Sequence, residues 1–276
     1  MPRYRARDGL SLFYDVVGAG PPLVVLPGGP GMDVRYLGDL GGLAATRTLI
    51  LADARGGGRS EVPPDPATVS FTAQAGDVEA LRVHLGLARI DLLAHSAGAL
   101  TAQEYAVRFP ARVRNLILVT PIGRAGRDVD PAELAGIRAA RSSEPWYPGA
   151  AAAVGDRSPF AQARLVPFHW HRWSPAHRSH YVAAHGNPLR WYREAFYSGT
   201  ARPGSVPAPV LVLAGASDGM IGTAPARVVA AAHPGAHLEI LAESGHRPWA
   251  EQPVPFRSVI DTFLNAGVGV DRTGQS

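Results

Sequence analysis

Short apolar runs, each stopped by a small-residue turn and separated by helix-length stretches, limit how this chain can fold more than any other feature. Leu23–Leu26 ends at Pro27-Gly-Gly-Pro-Gly31, and Thr48–Ala52 ends at Asp53-Ala-Arg-Gly-Gly-Gly-Arg-Ser60. Ile90–Ala94 runs into His95-Ser96. Leu10–Val17, which mixes apolar and polar positions, reads as an earlier strand. A helix is expected from about Ser70 to Leu85, with Val78, Leu81 and Leu85 on one face and Gly86 as its C-cap. Ala97–Arg108 reads as a second helix stopped by Pro110, and Val113–Thr120 as another strand. Apolar runs this short, alternating with helices, belong in a parallel sheet buried by helices on both faces.

The alternation breaks from about Gly123 to Thr200, where arginines, histidines and aromatics replace it. It resumes with a strand at Pro209–Ala214, a helix near Ala224–Ala232, a strand at His237–Leu241 and a helix near Pro255–Asn265. The expected organisation is a core made of residues 1–122 and 201–266, a helical cap of residues 123–200, and a flexible tail at 267–276. A chain of 276 residues fits one large domain with such an insertion.

Composition removes several chemistries. All 27 basic side chains are arginine, so no lysine is available for a Schiff base. There is no cysteine, which excludes thiolate nucleophiles, disulfides and cysteine metal sites. The net charge of +4 is small and the arginines are scattered, so no nucleic-acid partner is expected. No apolar stretch of signal-peptide type precedes Leu10, and Leu23–Leu26 is too short to cross a bilayer. A cytoplasmic protein without a membrane partner is expected, and the Ala/Gly/Arg/Pro bias points to a bacterial source. Pro167-Phe-His-Trp-His-Arg-Trp173, with His177, His180 and His185, has no zinc-signature spacing and no interleaved carboxylate. Neither metal nor cofactor is expected.

Ser96 stands where a buried strand turns into a helix, at the sheet end where open α/β sheets bind ligands. A sharp turn there raises the hydroxyl beside the free N–H groups of a helix N-terminus. It requires small residues two before and two after, and these are Ala94 and Gly98. A serine needs a base, and the base an orienting acid, in the chain order Ser, Asp or Glu, His. Asp218 closes Gly215-Ala-Ser-Asp218 after one later strand, and His246 lies in Glu243-Ser-Gly-His246 after the next. The expected triad is Ser96, Asp218 and His246. The N–H groups of Gly29, in the first glycine turn, and Ala97, next after the serine, are the expected oxyanion hole.

These segments resemble the α/β-hydrolase superfamily and, within it, the proline iminopeptidase-like serine peptidases. The resemblance rests on Pro27-Gly-Gly-Pro-Gly31, Asp53-Ala-Arg-Gly-Gly-Gly-Arg-Ser60, Ala94-His-Ser-Ala-Gly98, Gly215-Ala-Ser-Asp218 and Gly245-His-Arg-Pro-Trp249. It implies an α/β-hydrolase fold: an eight-stranded, mostly parallel sheet, helices on both faces, and a helical cap between strands six and seven. Three positions depart from the family pattern. Pro27 replaces a histidine, Ala94 replaces the first glycine of Gly-x-Ser-x-Gly, and Ala97 stands where iminopeptidases carry a tryptophan.

An aminopeptidase must hold a substrate α-ammonium, which a carboxylate in a partly dry pocket does best. Glu194, among Trp191, Tyr192, Phe196 and Tyr197, and Glu144, just before Trp146, are the candidate anchors; Trp191 and Trp146 are candidate pocket walls. Each glutamate reads equally as a solvated carboxylate on a helix face. The leading expectation is cleavage of an amide or ester in a small molecule or short peptide through an acyl-serine, with an iminopeptidase-like aminopeptidase first. The alternatives are an esterase, lactonase or thioesterase acting on a hydrophobic metabolite, a cofactor-free cyclase in the same pocket, and a non-hydrolytic receptor on the same fold.

Overall fold

The computed structural model describes residues 2–123, 128–202, 204 and 206–266. The expected tail at 267–276 and residues 124–127 of the expected cap lie outside them. Eight strands make one sheet in the order β1-β2-β4-β3-β5-β6-β7-β8. They are β1 (Arg3–Arg5), β2 (Ser11–Val17), β3 (Pro22–Leu26), β4 (Thr48–Ala52), β5 (Ile90–His95), β6 (Val113–Val119), β7 (Val210–Gly215) and β8 (His237–Leu241). β2 pairs antiparallel with both β1 and β4, and every other pairing is parallel. β1 escapes sequence reading because it is three residues long and buries only Tyr4.

Side chains of the central strands alternate between two apolar layers, so both sheet faces are core. Val24, Ile50, Leu92, Leu116 and Val212 pack with α1 (Phe71–His84), α2 (Gly98–Arg108) and α8 (Ala224–Ala231). Leu23, Val25, Leu49, Leu93, Ile117 and Leu211 face the other way, onto Trp249 of α9 (Pro248–Glu251) and Phe256, Ile260 and Leu264 of α10 (Pro253–Ala266). Ser70 caps α1, its Oγ accepting from Ala73 N, and Gly86 just beyond the helix takes φ +67°.

Between β6 and β7 the described residues form only helices: α3 (Pro131–Ala139), α4 (Tyr147–Ala151), α5 (Pro159–Leu165), α6 (Pro175–Ala183) and α7 (Tyr192–Tyr197). Three of them start alike. Asp130, Ser158 and Ser174 each cap a helix whose first residue is proline, satisfying an N–H in the first turn. Polar contacts seat this segment on the loop after β7. Arg138 Nε donates to Gly219 O (2.9 Å), Arg141 Nη2 donates to Ser217 O (2.6 Å), and Glu133 accepts from Thr223 N and Ala224 N (3.1 and 3.0 Å).

The loop after β4 is held by ion pairs of Arg55 and Arg59. Asp53 accepts from Val34 N (2.8 Å) and Arg59 N (3.0 Å), which fixes the 3-10 turn Val34–Leu37. Gly58 takes φ +51°, and a Cβ there would lie 2.3 Å from the Asp53 carboxylate, so the turn needs glycine on both counts. Arg55 makes a bidentate pair with buried Asp77 of α1 (2.7 and 2.5 Å) and reaches Asp8 (2.8 Å). Removing one partner of such a pair strands the other charge in a dry site. Asp77→Ala is therefore expected to lower unfolding stability by about 3–5 kcal/mol, read by urea denaturation; a loss below measurement error would contradict that role.

Candidate active site

The structure brings Ser96, His246 and Asp218 together at the carboxyl ends of β5, β8 and β7. Ser96 follows β5 with φ +51°, a backbone conformation that is costly for a non-glycine residue and recurs at functional sites. Close packing holds it there. A Cβ on Gly98 would lie 2.4 Å from Pro27 O, so only glycine lets α2 approach the Pro27–Gly31 turn. Ala94, at the other small position, is fully buried in the core, and its methyl group is accommodated.

His246 Nε2 lies 3.0 Å from Ser96 Oγ, and His246 Nδ1 lies 2.6 Å from Asp218 Oδ2. All three side chains are buried. Asp218 Oδ1 accepts from Met220 N (2.9 Å) and Ile221 N (3.2 Å), which turns Oδ2 toward the imidazole. With a carboxylate on Nδ1, the ring carries its proton there and offers Nε2 as the acceptor for the serine hydroxyl.

The main chain at His246 joins three parts of the molecule. Its carbonyl accepts from His95 Nε2 (2.9 Å) and Thr120 Oγ1 (3.1 Å), and its N–H donates to His169 O (2.7 Å). Since His95 Nε2 carries a proton, His95 Nδ1 accepts from Tyr36 OH (2.7 Å), and Tyr36 Oη in turn accepts from Gly28 N (2.7 Å). One chain of hydrogen bonds thus runs from the glycine turn to the histidine loop. Burial, and next to it the neighbouring His246, push His95 well below the ordinary imidazole value, so it stays neutral. Gly29 N and Ala97 N have no hydrogen-bond partner among the described residues, as free oxyanion donors require.

Ser96 and His246 open into a cavity of about 310 Å3. Its walls include Met32, Tyr181, Val182 and Met220, together with His169 and Arg247. Burial and the nearby His246 lower His169 to about 3, so it is neutral across the physiological range. Sequence reading did not single out Tyr36 or Arg247, because no motif marks them, and it weighed His169 only as part of the histidine-rich stretch Pro167–Trp173. It quoted Arg247 only as part of Gly245-His-Arg-Pro-Trp249.

The four expected substrate-binding residues do not line this cavity. Glu194 is exposed on α7, because its neighbours Tyr192 and Phe196 are buried and lie on the opposite helix face. Trp191 packs beside Tyr192 and the Phe196 cluster. Glu144 lines a separate hollow with Arg141, His171 and Ser217. Trp146 stands edge-on to Phe168, with ring centroids 5.2 Å apart. Among the described residues, no group of three or more histidines and carboxylates is placed to hold a metal ion. No helix there is long and apolar enough to cross a membrane.

A family model for the alpha/beta hydrolase fold matches residues 21–251, most of the chain. The chain belongs to that family. Within the family its sequence is similar to the proline iminopeptidases. It is 36% identical over 124 residues to the proline iminopeptidase of Lactobacillus helveticus, covering 42% of each chain. It is also 33% identical over 150 residues to the (lyso)-N-acylphosphatidylethanolamine lipase of Mus musculus, covering 52% of this chain and 41% of the lipase. The chain thus spans about two fifths of the length of these curated relatives. A thermophilic esterase from Thermogutta terrifontis superposes with TM-score 0.73 at 21% identity, over 96% of this chain and 98% of the esterase, which is a likeness of fold.

The Tyr36 hydroxyl is the joint in the chain that links the glycine turn to the His246 loop. Tyr36→Phe leaves Gly28 N–H and His95 Nδ1 without partners. It is expected to cost about 1–3 kcal/mol of stability and to lower kcat by about 10- to 100-fold. Thermal unfolding and steady-state kinetics check this, and unchanged values for both would contradict it.

Proposed function

We propose that the protein is a serine hydrolase that cleaves the ester, thioester or lactone bond of a small, partly apolar substrate. One observation carries the choice among acyl groups: among the described residues, no aspartate or glutamate lines the cavity that holds Ser96. A free peptide N-terminus would bring an ammonium into a pocket that holds the cation of Arg247 and no anion to receive it. The expected anchors, Glu194 and Glu144, lie elsewhere. Met32, Val182, Ala184 and Met220 instead offer apolar walls to an acyl chain. The similarity to proline iminopeptidases favours the aminopeptidase as a second reading.

In the proposed mechanism Ser96 Oγ attacks the substrate carbonyl carbon while His246 Nε2 takes the hydroxyl proton. Gly29 N–H and Ala97 N–H hold the oxyanion, and Asp218 stabilises the imidazolium. Collapse breaks the bond to the leaving oxygen or sulfur, which takes the proton from His246. Water, deprotonated by His246, then attacks the acyl-serine and releases the carboxylic acid and the free serine.

Wild type and Ser96→Ala should be assayed with p-nitrophenyl esters of short and medium chain length and with prolyl and alanyl arylamides. The expected result is ester cleavage that depends on Ser96, with little amide cleavage. The ester assay is repeated from pH 5 to pH 8. His169, held to about 3, and His180, held to about 4 by burial and the neighbouring Arg247, stay neutral and add no limb between pH 5 and 8. Serine-dependent cleavage of arylamides alone would favour the aminopeptidase, and unchanged ester cleavage in Ser96→Ala would overturn the mechanism.

A further inference from the structure

Arg247 follows His246 in sequence and lines the same cavity as Ser96, yet it is only 5% exposed. Its Nη1 donates to His180 Nδ1 (2.9 Å). Nε and Nη2 have no hydrogen-bond partner among the described residues, and no carboxylate there forms an ion pair with it. The nearby acids are engaged elsewhere. Glu251 accepts from Gly245 N (2.6 Å) and His171 N (2.7 Å), and Glu243 accepts from Gln252 Nε2 (3.3 Å). Asp218 is committed to His246 and two backbone amides.

Aromatic faces account for part of the burial. The guanidinium carbon lies 5.1 Å from the Tyr36 ring centroid, 5.6 Å from Trp170 and 5.8 Å from Tyr181. They do not replace a counter-ion, and a buried cation without one is costly to keep. Its imidazole neighbours do not add to the charge. His180 accepts from the guanidinium on Nδ1 and is held neutral, at about 4, by burial and by Arg247 itself. His169, lowered to about 3 by burial and His246, is neutral too. The cavity therefore presents one fixed positive charge with free donors, beside the candidate nucleophile.

We propose that Arg247 is a carboxylate subsite, and that the substrate is a short-chain ester or lactone that carries a free carboxylate as well as the scissile bond. The carboxylate completes the ion pair that the protein leaves open. It also orients the carbonyl toward Ser96 Oγ, since a planar guanidinium fork fixes direction as well as charge. A single cation matches a monoanion, whereas a phosphate dianion would bring a second, uncompensated charge into a mostly apolar pocket. This subsite rests on the ester-hydrolase reading above.

The test compares p-nitrophenyl butyrate with mono-p-nitrophenyl succinate, which places a carboxylate where butyrate ends in a methyl group. Wild type is expected to turn over the succinate ester with kcat/KM about 10- to 100-fold higher, with most of the difference in KM. That preference should vanish in Arg247→Gln and persist in part in Arg247→Lys. A wild-type preference for butyrate, or none, overturns the proposal, and this comparison does not depend on any variant folding. Should neither ester be cleaved, the hydrolase reading fails, and calorimetry with monomethyl glutarate, a monoanion, tests the subsite alone. Binding of monomethyl glutarate to wild type that is lost in Arg247→Gln upholds it. No binding, or binding undiminished in the variant, overturns it.

Discussion

The site depends on one backbone constraint, the left-handed conformation of Ser96 where β5 gives way to α2. No side chain of serine favours φ +51°, so the surrounding packing must impose it. Ser96 N donates to Val119 O of the neighbouring strand (2.9 Å), and Gly98 allows α2 to close on Pro27 O. The same contact brings the first helical turn and the glycine turn side by side, so the candidate nucleophile and the candidate oxyanion donors are set by one packing event. The sheet supplies the rigidity. β5 lies between β3 and β6 and is buried along its whole length.

A second linkage joins this core to the helices inserted between β6 and β7. Gly219 N donates to Phe168 O (2.9 Å) and His246 N donates to His169 O (2.7 Å), so the acid loop and the histidine loop hang from the same turn of the insertion. Glu251 extends the arrangement by accepting from Gly245 N on one side and His171 N and Arg172 N on the other. Burial raises its carboxyl above the ordinary value, while the three N–H groups favour its charged form. The insertion thus lines the cavity and also holds the loops that carry Asp218 and His246. Substitutions in Val166–His169 would be felt at the imidazole.

The core was legible because its signals are local. Apolar runs of four to seven residues ended by glycine, serine or aspartate can be read one at a time, and their order placed Ser96, Asp218 and His246 at three strand ends. β1 was missed because three residues with one buried side chain carry no pattern. The insertion was legible only as an absence of strands, although Asp130-Pro131, Ser158-Pro159 and Ser174-Pro175 mark three helix starts by chemistry that sequence reading can use. The four expected substrate-binding residues lie outside the Ser96 cavity, Glu194 for a geometric reason. Glu194 sits two positions from both Tyr192 and Phe196, and on a helix that is the opposite face. Arg247 was quoted within a motif but not weighed, since nothing local tells a loop arginine in solvent from one buried against the inserted helices. That distinction arises only when Tyr36, Trp170 and Tyr181, distant in sequence, close around it.

The measurement that bears most directly on Ser96 as the nucleophile is intact-protein and peptide mass spectrometry after rapid acid quenching of the enzyme mixed with p-nitrophenyl acetate. An added acetyl mass on the peptide carrying Ser96, formed within the first turnover and absent from Ser96→Ala, is the result predicted here. Ester cleavage with no acyl adduct at Ser96, or with the adduct on another residue, would contradict it.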